Sequence, residues 1–158
     1  MTRVIARGAV DERWGFEMNG CIVVGTDGSA TAKKAVKAAV DMAQVFGQRL
    51  HIVSAYKPLH VSVHLPEEMS GAIGPHSHVD AVLAEAAALC RVAGVDVKTH
   101  PRVGEPADAI LEVADEEAAD LIVVGSKGID SKSRFLVGNV PSRVVHHASC
   151  STFVVRTS

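Results

Sequence analysis

The sequence predicts an α/β fold built on a doubly wound, five-stranded parallel sheet of Rossmann-like type. Three observations carry this prediction. From residue 21 onward, short apolar runs alternate with stretches of helical periodicity, the signature of repeated strand–helix–strand units. Two of the runs, Cys21-Ile22-Val23-Val24 and Leu121-Ile122-Val123-Val124, are continuously apolar and each is followed by glycine. Such runs read as central parallel strands buried on both faces. A third run, residues 95–100, alternates apolar and polar residues instead, as a strand with one solvated face at a sheet edge does. Placing the two continuous runs side by side gives the strand order 3-2-1-4-5. The crevice at their C-terminal ends is then the topological switch point, where open α/β sheets bind ligands.

The elements follow in order. After the first strand, Ser29 suits a helix N-cap. Ala32, Ala35, Val36, Ala39, Val40 and Ala43 then recur at helical spacing, and Gly47 ends the helix. Residues 50–56 form the second strand. Residues 57–77, with Pro58, Pro66, Gly71, Gly74 and Pro75, read as a loop long enough to suggest a functional role. Val79, Leu83, Ala86 and Cys90 mark the second helix, ended by Gly94. In the third strand Val95, Val97 and Thr99 are the inward set, and Asp96, Lys98 and His100 the solvated one. Gly104-Glu105-Pro106 opens the third helix, with proline in its first turn and Ile110, Leu111 and Ala114 facing inward. Its acids, from Glu105 to Asp120, read as a solvated face. After the fourth strand come a polar loop over 126–137, a short helix over 140–148 and a last strand over 152–156.

Composition narrows the function. Sixteen basic residues against eighteen acidic ones give a net charge of −2. That excludes a broad basic footprint for nucleic acid. Aromatics are 4%, too few for a stacking platform. The three cysteines, Cys21, Cys90 and Cys150, form no CxxC pair, so reduced thiols and a cytoplasmic location are expected. No apolar run reaches the roughly 18 residues of a membrane span, and residues 1–20 lack the apolar core of a signal peptide. Residues 1–19 read as a disordered N-terminal arm and 20–158 as one domain, with Met18 a candidate alternative start.

Chemistry concentrates after the two central strands. Gly25-Thr26-Asp27-Gly28-Ser29 follows the first, and Gly125-Ser126-Lys127-Gly128 the fourth. Nine residues after Gly128 comes Gly138-Asn139-Val140-Pro141, at the start of the short helix, with Asn139 as the expected N-cap. Free N–H groups at a helix start favour a phosphate. Over 126–143, Lys127, Lys132, Arg134 and Arg143 stand against only Asp130. Asp27 faces this stretch as a carboxylate able to hold Mg²⁺ or a ribose hydroxyl. No GxxxxGK[ST], GxGxxG or GxSxG motif is present.

At these residues the chain resembles the universal stress protein family. Val24-Gly25-Thr26-Asp27-Gly28-Ser29 resembles its first loop. Gly125-x2-Gly128-x9-Gly138 has the spacing of its nucleotide-binding signature, G-x2-G-x9-G-[S/T]. Val103-Gly104-Glu105-Pro106-Ala107 and His147-Ala148-Ser149-Cys150 are also similar to family segments. The resemblance covers residues 20–157 and is weak over 57–78. It implies a stress-response binding module that takes ATP with Mg²⁺, with cyclic AMP as the alternative, and a homodimer formed through the last strand. By position, Gly25, Thr26 and Asp27 line the adenosine side, with Asp27 as the candidate Mg²⁺ ligand, and Ala55 lies near the base. Gly125, Ser126, Lys127, Gly128 and Ser131, with Gly138, Asn139, Val140 and Pro141, hold ribose and phosphates. Asn139 departs from the signature's Ser or Thr, which leaves the choice between triphosphate and cyclic monophosphate open. Ser126, Ser131 and Ser133 are candidate phosphoryl acceptors, the basis of an enzymatic alternative: slow ATP hydrolysis or autophosphorylation. A nucleotide-free interaction protein is the third reading. The last strand is short and apolar, and such an edge calls for a partner strand under all three.

Histidine is unexpectedly frequent, eight residues in all. His60, His64, His76 and His78 cluster in and beside the long loop, where the functional readings are metal binding or a pH-sensitive lid. Pro58 and Pro66 oppose the helix that would bring His60 and His64 to one face. His146 and His147 suit the end of the last helix. His51 and His100, on strands, read as structural.

Overall fold

The two continuously apolar runs become the inner strands of one parallel sheet. The computed structural model describes residues 18–58, 75–127 and 138–157. Along these the elements are β1 (Ile22–Gly25), α1 (Ala30–Phe46), β2 (Leu50–Tyr56), α2 (Pro75–Val92), β3 (Val97–Val103), α3 (Pro106–Glu116), β4 (Leu121–Gly125), α4 (Asn139–His147) and β5 (Ser151–Val155). The sheet order is β3-β2-β1-β4-β5, as the sequence predicts. β1 pairs in parallel with β2 on one side and β4 on the other, Ile22 lying opposite both Leu50 and Leu121.

The sheet has an apolar core on each face. Under α1 and α2 lie Ile22, Val24, Leu50, Ile52 and Val123. Under α3 and α4 lie Val23, Val53, Ile122 and Val124. Alternate residues of a strand serve opposite cores, which is why β1 and β4 need apolar side chains at every position. Helix α1 buries the six small residues that the spacing singles out. Ser29 caps it by accepting from the Ala32 N–H at 3.1 Å. Gly47 ends it in the left-handed region, φ 66°, and donates to the Ala43 carbonyl. The helix α2 begins at Pro75, earlier than expected, and so takes in His76 and His78. Proline costs a first helical turn nothing, because its missing N–H would have had no partner there.

Strand β3 differs from expectation in which face is covered. It is an edge strand, and Pro101 is tolerated there. His100, expected in solvent, is buried, whereas Thr99 is exposed. The register explains the exchange: Lys98, His100 and Arg102 lie opposite His51, Val53 and Ala55, on the face that α3 covers. The C-terminal end of α3 supplies charge partners for that set, Lys98 to Glu117 at 2.6 Å and Arg102 to Glu116. The acids of α3 are therefore not simply a solvated face. Glu105 pairs with Lys57 at 2.6 Å and Asp108 with Arg143 at 2.7 Å. Asp115 accepts from Ser149 Oγ at 2.6 Å, and Asp120 from the Gly20 N–H. Pairs this exposed each contribute little to stability, so they orient α3 more than they hold it.

All three cysteines are free. Burial, reinforced by Glu117 and Asp120, pushes the Cys21 thiol up to about 11, and burial raises Cys90 and Cys150 as well. None is poised as a thiolate near neutral pH. Among the described residues, no helix is long and apolar enough to cross a membrane. At the expected boundary of the arm, Met18 packs against the α1/α2 core, and its carbonyl accepts from Gln48 Nε2 at 2.6 Å. Residues 1–17 lie outside the described residues.

Helix α3 approaches the end of β1 so closely that Gly25 has no room for a side chain. An added Cβ would stand 2.3 Å from Ile110 Cδ1, and Ile110 is itself buried. Gly25→Ala is expected to lower stability by about 1–3 kcal/mol, read from the urea midpoint. Ile110→Val removes the obstructing methyl, so the double variant should be more stable than the two single losses predict. Strict additivity would show that this contact is not the cause.

Candidate functional site

The chain turns in opposite directions after β1 and β4, through α1 toward β2 and through α4 toward β5. A crevice opens between the two departing connections. Its first wall is the turn from Gly25 to Ser29. The Thr26 N–H donates to the Val53 carbonyl at 2.9 Å, tying the turn to β2. The Gly28 N–H donates to Thr26 Oγ1 at 3.2 Å, and the Ser29 N–H to Asp27 Oδ1 at 2.9 Å. Asp27 thus shapes the turn through its own side chain, as Asx turns do. Gly28 has φ 79°, and an added Cβ would lie 2.6 Å from Val82 Cγ2 of α2. Both its backbone conformation and the close approach of α2 require glycine.

The second wall is built from β4, α4 and the chain after β5. The Ser126 N–H donates to the Val155 carbonyl at 2.8 Å, and the Gly138 N–H to the Ser126 carbonyl at 2.9 Å. The two ends of the intervening loop are therefore pinned together at Ser126. Thr157, which is buried, closes the arrangement. Its N–H donates to Ser126 Oγ at 3.2 Å, and the two hydroxyls are 3.1 Å apart. Lys34 of α1 donates to the Thr157 carbonyl at 3.0 Å. The Ser126 hydroxyl is thus engaged in holding the crevice together. Gly125 sits beneath this latch, where an added Cβ would meet Thr157 Cγ2 at 3.2 Å.

Helix α4 starts differently from expectation. Gly138, not Asn139, is the N-cap, and it offers no side chain to the helix end. Asn139 is the first helical residue and is exposed, Val140 is half-buried, and Pro141 is buried. Gly138 has no side chain to offer, and among the described residues no side chain caps the first N–H groups of the helix. Those groups and the positive end of the helix dipole can accept an anion.

Gly25, Thr26, Asp27, Gly125, Ser126, Lys127, Gly138, Asn139, Val140 and Pro141 thus all belong to the connections around one crevice. Ala55 lies at the end of β2, half-buried on the α3 side. Gly128, Ser131 and Ser133 fall outside the described residues, as do Lys132 and Arg134. Arg143 points its charge at Asp108 of α3, so it adds less to the local positive potential than its place in the sequence suggests. Beside the crevice, a small pocket of about 20 Å³ opens between α1 and α2. It shares Thr26 and Gly28 with the crevice, and the Lys33–Glu85 ion pair of 2.7 Å lies along it.

The sequence reading missed Thr157 and Lys34. Neither carries a motif, and their roles exist only because β5 brings the chain end beside α1. Of the loop histidines, His60 and His64 lie outside the described residues. His76 bonds to the Tyr56 hydroxyl at the end of β2, and His78 is exposed. His146 and His147 occupy the last turn of α4 and are exposed.

Comparison with known proteins agrees with this architecture. The universal stress protein family matches residues 18–156. A universal stress protein of Mycobacterium tuberculosis is 35% identical over 141 residues, which cover 87% of this chain and 96% of that relative. One from Thermus aquaticus is 36% identical over 135 residues, covering 85% and 97% respectively. A universal stress protein solved in complex with cAMP aligns with a TM-score of 0.70 and 34% identity, over 90% of this chain and all of that one. With the family matched across nearly all of its length, this chain belongs to the universal stress protein family.

Proposed function

We propose that this protein binds an adenine nucleotide, ATP with Mg²⁺, in the crevice between β1 and β4, and serves as a stress-response signalling module rather than as an enzyme. The observation that carries this reading is the convergence of two glycine-bearing connections on a helix start whose N-cap, Gly138, offers no side chain. The phosphates meet the N–H groups at Asn139 and Val140, with Gly138 allowing close approach. Lys127 adds positive charge, and the Gly125-x2-Gly128-x9-Gly138 spacing extends the cradle through Gly128 and Ser131. Gly25, Thr26 and Asp27 take the adenosine side, Asp27 holding Mg²⁺ or the ribose, with Ala55 near the base. With few aromatic side chains in the protein, backbone and aliphatic contacts hold the base.

Cyclic AMP is the second reading. It is favoured by the relative solved with cAMP, which is 34% identical to this chain, and by Asn139 in place of the signature's hydroxyl residue. Its smaller charge needs fewer N–H donors than a triphosphate does.

The protein acts as a homodimer paired through β5. That strand is bonded on one side only, to β4, and Phe153 on it is 43% exposed. An apolar edge of this kind is protected by a partner strand.

Calorimetric titration is expected to give one site per chain for ATP–Mg²⁺ or for cAMP; heat from neither overturns the reading. Gly128→Val should weaken that binding at least about tenfold by filling the phosphate cradle, with an unchanged melting temperature. Incubation with γ-labelled ATP should leave the protein unlabelled and release phosphate no faster than buffer does; labelled protein or faster release would favour the enzyme. In sedimentation velocity, Phe153→Glu should convert the dimer to monomer, because it places a charge on the paired edge. A dimer that survives this change is joined elsewhere.

A further inference from the structure

On the face of the sheet that α3 covers, His51 of β2 and His100 of β3 face each other. Their exposures are only 2% and 6%. His51 Nδ1 and His100 Nε2 are 2.9 Å apart, and the ring centroids are 5.1 Å apart, so the two nitrogens lie between the rings. Glu117, at the end of α3, brings Oε1 to 3.8 Å from His51 Nδ1 and 4.0 Å from His100 Nε2. Two imidazole nitrogens and a carboxylate oxygen, from three different elements, thus converge on one small volume.

We propose that His51, His100 and Glu117 form a site for a borderline divalent transition ion of the Zn²⁺ class. Tetrahedral Zn²⁺ with bonds of about 2.0–2.2 Å holds its ligand atoms roughly 3.3–3.5 Å apart. The three separations here, 2.9, 3.8 and 4.0 Å, bracket that spacing. Two imidazoles and one carboxylate suit Zn²⁺, with water completing the shell.

Binding needs no redox change and no net loss of a proton from the histidines. Without metal, the rings share one hydrogen between Nδ1 and Nε2. On ligation the donor ring carries its proton on its other nitrogen, and both facing lone pairs bind the ion. Burial holds both rings toward the neutral, metal-ready form. The competing cation is Lys98, which donates to the same Glu117 oxygen at 2.6 Å. Lys98 is 55% exposed at its side chain and Glu117 25%, so the ammonium can swing into solvent and leave a path for the ion. Arg49 and Arg102 are engaged with Asp96 and Glu116, which limits their repulsion of a dication. The ion would clamp the edge pair β2–β3 to the end of α3.

The test uses the untagged full-length protein, dialysed against chelator and titrated calorimetrically with ZnCl₂. One ion per chain is expected, with a rise in melting temperature. Glu117→Gln should weaken binding at least about tenfold and abolish the thermal shift. Lys98→Met removes the competitor and should tighten binding by about tenfold. A variant with His60, His64, His76 and His78 all changed to Gln should bind as the parent does. His100→Gln should lose the ion; if it fails to fold by circular dichroism, the Glu117 and Lys98 variants, which change partly exposed groups, decide. Substoichiometric binding, binding that survives Glu117→Gln, or binding lost with the four loop histidines would overturn the assignment.

Discussion

The parallel pairing of β1 with β4 is the constraint on which the rest of this molecule depends. Ile22, Val23 and Val24 lie in register with Leu121, Ile122 and Val123, and all but Leu121 are essentially without exposed surface. Each such side chain contributes about 1.5–3 kcal/mol by leaving water, and the contribution requires helices on both faces. That requirement sends the chain out through α1 on one side and back through α3 on the other. Because the connections leave β1 and β4 in opposite directions, they cannot fill the space between them. The crevice is a by-product of the pairing, and it lies where glycine turns allow a close approach.

A second feature braces that opening. Ser126 joins four parts of the chain: the end of β4, the start of α4 at Gly138, the end of β5 at Val155, and Thr157. The loop from 127 to 137 therefore leaves and returns at one fixed point, whatever its own path. Such an arrangement fixes the start of α4 relative to the end of β4. The hydroxyl that looks like a phosphoryl acceptor in the sequence is occupied in the structure by this bracing.

The crevice and the β3 edge of the sheet are built on different chemistry. At the C-terminal ends of β1 and β4, glycine turns and backbone hydrogen bonds dominate, beside the start of α4 and Lys127. At the β3 edge, on the face that α3 covers, a polar layer of His51, His100, Lys98 and Glu117 replaces the apolar core. Apolar packing there would cost less desolvation, so the layer is an expensive choice that only partnered charges offset.

Sequence alone determined the strand order, the faces of α1 and the glycine turns after β1 and β4. Those features rest on local patterns: continuous apolar runs, helical spacing and glycines after strands. The family followed from the same glycines. Tertiary structure decided what local pattern cannot express. The alternation in β3 identified an edge strand correctly, but water and a charged helix end leave the same polar pattern in a sequence. Only the register with β2 and the arrival of α3 show that His100 is inside. Gly138 rather than Asn139 caps α4 because its bond to the Ser126 carbonyl fixes where the helix begins. The meeting of His51, His100 and Glu117 spans 66 residues of chain. It exists only because two parallel strands and a returning helix bring these side chains to one point, and no spacing in the sequence records that distance.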